Sequence, residues 1–277
     1  VFPFPVNFAS SPAQPQMDSA STAQPVLTVH PTSLKSRVET QIPIRLTLSP
    51  LPAGVKKLRL PSHTISKLKF LAPPSTESTP DTLQLYTSLV CSSAMQDRDK
   101  LKRAFARTRG ERNPGNTNGT EEERPLDGGD VKICTGCIQR ERKRASRKKQ
   151  RKPEEDELFQ KDEEKRVIVF NTSEIKEWTE PPKTAAAGYG EMPPAPPGAM
   201  QVELPMRIAC YCRHQNEKLG FQVIFTVKDH LDNVVAQAIT NSIMITDDHK
   251  TQAPSAPPPA GPSPSLPDGT QLPGVGV

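Results

Sequence analysis

MRIACYCRHQNEKLGFQVIFTVKDHLDNVVAQAITNSIMIT, residues 206–246, is the stretch on which the fold class turns. Three segments rich in Val, Ile and Phe (206–215, 220–229 and 233–246) are divided by the polar breaks HQNEKLG and DHLDN. β-branched and aromatic residues at this density, with turn formers between them, read as a meander of three or four strands. Alternation along the first segment puts Met206, Ile208, Cys210 and Cys212 on one strand face, the environment in which free cysteines are usually found.

Working outward, Ile42, Ile44, Leu46 and Leu48 alternate with Pro43, Arg45 and Thr47, the period of a half-buried strand. TLQLYTSLVC (82–91) behaves similarly, and RVIVF (166–170) reads as a short, fully buried strand. One segment reads as a helix, Gln96 to Arg107, with Leu101 and Phe105 four residues apart. Many short strands, long polar loops and one short basic helix predict an all-β domain, a β-sandwich.

Proline draws the boundaries. It makes up 31 of 277 residues, about 11% against a usual ~5%. Twenty of the 31 fall in residues 1–31, 181–200 and 251–277. Proline lacks an N–H and is kept out of central strands. We therefore expect a disordered leader over 1–25, a folded domain over 26–250 and a disordered Pro-rich linker over 251–277. Flexible insertions are expected near 109–130 and 180–199. No apolar run approaches the ~20 residues of a spanning helix, so no membrane contact is expected. The chain opens on Val1 rather than Met, from which we expect the natural start to lie upstream.

The formal charge of +5 is uneven. RERKRASRKKQRK (140–152) carries nine cations, Arg140, Arg142, Lys143, Arg144, Arg147, Lys148, Lys149, Arg151 and Lys152, against Glu141 alone, leaving −3 elsewhere. Such a block suits a polyanion, because each neutralised phosphate releases a counterion. It also suits a nuclear import signal, a membrane-surface patch, or a solvated loop balanced by the following PEEDELFQKDEE. A second cluster, Arg98, Lys100, Lys102, Arg103, Arg107 and Arg109 with Asp97 and Asp99, reads as an ordinary solvated helix face.

The five cysteines are Cys91, Cys134, Cys137, Cys210 and Cys212. Cys134 and Cys137 form a C-x-x-C just before the basic block, and CYCRH (210–214) puts three soft ligands on alternate residues. Two such segments could supply the four ligands of zinc, with Cys134 and Cys137 as candidates. The second pair has C-x-C spacing, however, and buried strand-face thiols are the stronger reading, so no metal and no cofactor is expected. An odd total disfavours a disulfide scaffold. No phosphate-binding glycine loop, nucleophile elbow or H-E-x-x-H occurs, and the five histidines are scattered, so no catalysis is expected.

Several stretches resemble the N-terminal DNA-binding region of the fungal Spt/Mga family of membrane-tethered transcription activators. They are SRVETQIPIRLTL (36–48), VKICTGCIQRERKRASRKK (131–149), EKRVIVFNTSEIKEW (164–178), and residues 206–229 with SIMITDDHK (242–250). The resemblance covers roughly residues 30–250. It implies an immunoglobulin-like, Rel-type β-sandwich that grips double-stranded DNA with loops and acts in the nucleus with the transcription machinery. It further implies a following IPT/TIG domain, ankyrin repeats and a membrane anchor at the endoplasmic reticulum. Proteolytic release and control of fatty-acid desaturase and low-oxygen genes belong to the same context. None of those downstream parts is in these 277 residues, which read as a fragment. A second copy of the chain is a further partner the sequence leaves open.

A sandwich offers its end loops, so SRVET (36–40) is the expected base-reading element. Arg37 can fork onto guanine O6/N7 and Glu39 can accept from cytosine N4, or the two can simply pair with each other. The cations of 140–152 then bind phosphates, which position without specifying. The acidic run 154–164 is expected to be a spacer or a mask. The competing class is a nuclear protein-interaction module whose basic block is an import signal only.

Overall fold

In the computed structural model the described residues are 24–30, 33–73, 79–111, 123–146, 160, 162–181 and 196–246. Residues 1–23 of the expected leader and the whole of the expected linker lie outside them, as do 112–122 and 182–195 of the two expected insertions.

Strand β3 (Ile42–Ser49) sends Ile42, Ile44, Leu46 and Leu48 into the core, as alternation requires. It pairs antiparallel with β8 (Met200–Ile208), whose Val202, Leu204, Met206 and Ile208 face the same interior. β1 (Val26–Val29) and β6 (Ile168–Phe170) complete a four-stranded sheet in the order β1-β3-β8-β6. Pro43 and Pro205 sit opposite each other inside it. The Asn171 amide donates to the Pro205 carbonyl, so the backbone of Pro205 faces β6 rather than β3. Pro43 lies past the end of β1 and Pro205 opposite Asn171, just past the end of β6, so neither interrupts the paired length of an outer strand.

The second sheet has the order β10-β9-β5-β4-β7. β5 (Thr82–Cys91) and β9 (Phe221–Lys228) form its long antiparallel pair, from Gln84 opposite Lys228 to Cys91 opposite Phe221. β4 (Lys57–Arg59) runs parallel to β5, β7 (Ile175–Glu177) antiparallel to β4, and β10 (Val234–Ile239) antiparallel to β9. Leu83, Leu85, Leu89, Val223, Phe225 and Val227 face the first sheet. The result is an all-β sandwich of the immunoglobulin-like class.

The outer face of β9 is also covered. Helix α2 (Arg98–Arg109), preceded by the single turn α1 (Ser92–Met95), lies over it with Ala104 buried and Leu101 and Phe105 packed on the core. Asp97 caps α2 by accepting from the Asp99 and Lys100 amides, and Gly110 ends it at φ 89°. The helix thus starts two residues later than predicted and ends two later. Lys100, Arg103 and Arg107 reach out of it to Asp127, Glu123 and Asp130, so this cationic face holds segment 123–130 against the domain.

Three expectations change. The first meander strand ends at Ile208, so Cys210 and Cys212 lie beyond it, Cys212 opening a 3-10 turn over Cys212–Gln215. Backbone curling there breaks the shared face. The last strand, β11 (Met244–Thr246), leaves the meander to pair in parallel with β2 (Lys35–Arg37). Finally, a second basic helix exists: α3 (Thr135–Ser146) takes up the first half of the charge block.

Candidate nucleic-acid interface

Helix α3 begins inside the C-x-x-C. Cys134, Cys137, Ile138 and Glu141 recur at the spacing of one helical face. Cys137 is fully buried, and Cys134 and Ile138 pack on the core. From Gln139 to Ala145 the remaining positions are Gln, Arg, Lys and Ala, all good helix formers. That combination was legible in the sequence, but nine cations in thirteen positions hid a stripe of only four residues.

Glu141 carries the helix onto the sandwich. Arg207, next to the end of β8, donates to both its carboxylate oxygens, at 2.9 Å to Oε1 and 2.7 Å to Oε2. The same guanidinium donates to the Val38 carbonyl at 3.4 Å. Val38 lies in the turn that follows β2, closed by the Thr40 amide on the Arg37 carbonyl at 3.0 Å. One buried arginine therefore joins the basic helix to the expected base-reading turn. Close by, buried Arg166 donates to the carbonyls of His63 and Ile65. Burial, and then the charge of Arg207, push its pKa down to about 10.

The expected contact residues divide by place. Arg37 and Glu39 are exposed on the turn, and no ion pair joins them. Glu39 lines a cleft of about 350 Å³ with Gly136, Gln139, Arg140, Glu141, Lys143 and Arg144 of α3. Turn and helix, distant in sequence, thus form one surface. Arg140 is committed inward: it donates to the Ala209 carbonyl at 2.5 Å, and its guanidinium lies 4.6 Å from the Tyr211 ring centre. Arg142 is paired through two hydrogen bonds with Glu163, in the acidic run expected to mask the block. Lys143 and Arg144 are exposed along the cleft. Arg147, Lys148, Lys149, Arg151 and Lys152 lie outside the described residues. Arg207 was not singled out in the sequence, where an arginine inside an apolar strand reads as an outward residue.

At the start of α3, Cys134, Cys137, Cys210 and His214 come together with their donor atoms all within 4.8 Å of one another. His214 Nδ1 lies 3.2 Å from Cys134 Sγ and 3.3 Å from Cys137 Sγ. The hydrogen bond between Cys137 and Cys210 lowers the pKa of the Cys210 thiol and raises that of Cys137. Cys212 takes no part: it faces the core, where its sulfur accepts from the Ile245 amide at 3.2 Å.

Comparison with known proteins gives the family of the chain. A solved structure of the C. elegans p53 orthologue Cep-1 aligns over 80% of this chain and 90% of its own, with a TM-score of 0.34 and 14% identity. That likeness adds nothing to the strand order already described. Protein SPT23 of Saccharomyces cerevisiae is 30% identical over 215 residues, and Protein MGA2 of the same yeast 26% identical over 216. Each alignment covers 76% of this chain but only 17% and 15% of those proteins, so the chain spans less than a fifth of the relatives it matches. The family model described as the SPT23/MGA2 DNA-binding domain matches residues 24–250. The sandwich with its basic helix is a member of the SPT23/MGA2 DNA-binding domain family, a DNA-binding rather than a catalytic family.

Proposed function

We propose that the domain binds double-stranded DNA with a sequence preference, using the turn 37–40 and helix α3 as one surface. The observation that carries this is the Arg207 buckle, which holds both elements across a shared cleft. Lys143, Arg144 and the cations that follow contact phosphates, fixing register without reading sequence. Arg37 forks onto a guanine edge, and Glu39 accepts from a cytosine amino group across the same groove. Arg140 and Arg142 are assigned positioning roles instead, since their side chains already hold Ala209 and Glu163. With a helix at the surface, the groove-facing part of this sandwich is loop and helix together.

The wider setting belongs to the same proposal: action in the nucleus with the transcription machinery, on genes of fatty-acid desaturation and low oxygen. Membrane tethering at the endoplasmic reticulum before release is assigned to the longer family proteins. Binding as one copy or two follows from the stoichiometry on a selected duplex.

The test has two arms. Replacing Lys143 and Arg144 by alanine is expected to flatten the plot of log K against log salt by ~0.9 per lost phosphate contact. An unchanged slope and affinity overturns the phosphate role and returns the block to an import signal. In a site-selection experiment, Arg37→Ala is expected to lose preference at one base pair, by ~1–3 kcal/mol. A variant that keeps the full preference sinks the base-reading role.

A further inference from the structure

We infer that Cys134, Cys137, Cys210 and His214 form a structural zinc site that fixes the start of helix α3 to the end of strand β8. Three thiolates and an imidazole are a four-ligand set of the kind that closes a tetrahedral zinc centre without an open position. The dimensions agree. With zinc–sulfur bonds of ~2.3 Å and zinc–nitrogen bonds of ~2.0–2.1 Å, tetrahedral donors sit about 3.5–3.8 Å apart. Here His214 Nδ1 is 3.2 and 3.3 Å from two of the sulfurs, and no pair of donors exceeds 4.8 Å.

The local chain presents all four side chains inward. Cys134-x-x-Cys137 spans the first turn of α3, whose Cys137 amide donates to the Cys134 carbonyl at 2.9 Å. Cys210-x-x-x-His214 runs from the last residues after β8 into the 3-10 turn, where the His214 amide donates to the Tyr211 carbonyl. The pairing that the sequence suggested, Cys210 with Cys212, is split: one sulfur joins the cluster and the other enters the core. Core packing alone gives no reason for three thiols from two separate segments to converge on one ring nitrogen.

The surroundings suit a bound ion. Gln215 Nε2 donates to the Lys132 carbonyl at 3.0 Å and to Cys210 Sγ at 3.6 Å, tying both ligand segments together. Tyr211 packs its ring edge-on to His214 at 5.0 Å between centroids. Such outer contacts orient ligands and are as much part of a metal site as the ligands. Cys137 and Cys210 are fully buried while His214 is exposed, which provides the entry path.

The purified 277-residue chain, kept reduced, is expected to carry about one zinc ion, as a closed four-ligand site requires. Cobalt exchanged into it is expected to show the intense visible bands of a tetrahedral thiolate centre. His214→Ala, on the exposed side, is expected to weaken metal retention against a competing chelator by ~10-fold or more, while Cys212→Ser, outside the cluster, retains the ion. Zinc near zero without cobalt bands overturns the site, as does an unchanged metal retention in His214→Ala. The role at α3 rests on the DNA reading, and the two separate cleanly. Full zinc content without DNA binding sinks only the DNA reading. DNA binding by a zinc-free native chain sinks only this one.

Discussion

By alternation Arg207 takes an outward position of β8, where α3 covers it, and its removal leaves Glu141 without its two hydrogen bonds. Breaking a wholly buried pair costs ~3–5 kcal/mol; with Glu141 23% exposed, Arg207→Ala is expected to cost about 2–3 kcal/mol in denaturant unfolding. Replacing Arg207 by Met and Glu141 by Leu together is expected to recover most of that, because no charge is then left unpaired. Equal losses in the single and double variants would show that the pair contributes little. Nothing at this scale was legible beforehand. The partner of Arg207 lies 66 residues earlier in the chain, and a single sequence cannot show which outward arginine a distant helix covers. Arg37 and Glu39 were singled out from side-chain chemistry alone, which says what a group can bind and not which neighbours it has.

Helix α2 depends on its first residue. The Asp97 carboxyl is held below its ordinary range by the backbone amides of Lys100 and Asp99. A pKa depressed in the folded state contributes stability above the unfolded value of ~3.9, and that contribution is lost as pH falls through the folded value. Asp97→Ala is therefore expected to lower the melting temperature at neutral pH and to show a shallower fall than the parent below about pH 4. Parallel curves for the two proteins would remove Asp97 from the acid response. At the head of β9, Gly220 has φ 113°, and a Cβ there would lie 2.5 Å from Ser242 Oγ and 2.9 Å from the Ile243 backbone. Gly220→Ala is expected to destabilise the fold by more than ~1 kcal/mol in denaturant unfolding, and a loss within error would show that the turn yields. Elements with a clear period were legible: β3, β5, β9 and α2 stand within two residues of their expected places. α3 was obscured because its inward stripe is short. β11 was misplaced because a parallel partner from the other end of the chain leaves no local signal.

At the scale of the molecule, the sandwich class follows from apolar alternation, which survives in a single sequence because it repeats in every strand. The interface and the metal cluster do not, since each assembles residues that only the folded chain makes neighbours. The same arrangement sets the order in which the domain can be built. β5 finds its partner in β9, with Gln84 opposite Lys228, and β3 finds β8, with Ile42 opposite Met206. Strands this far apart must close long loops before any pairing is rewarded, a topology that folds in milliseconds to seconds rather than microseconds. A chain emerging from the ribosome therefore leaves Ile42, Ile44, Leu85 and Leu89 without their β8 and β9 partners until residues 200–228 have been made. A chain cut before Met200 lacks β8 and β9, so it is expected to aggregate rather than to form a smaller working domain.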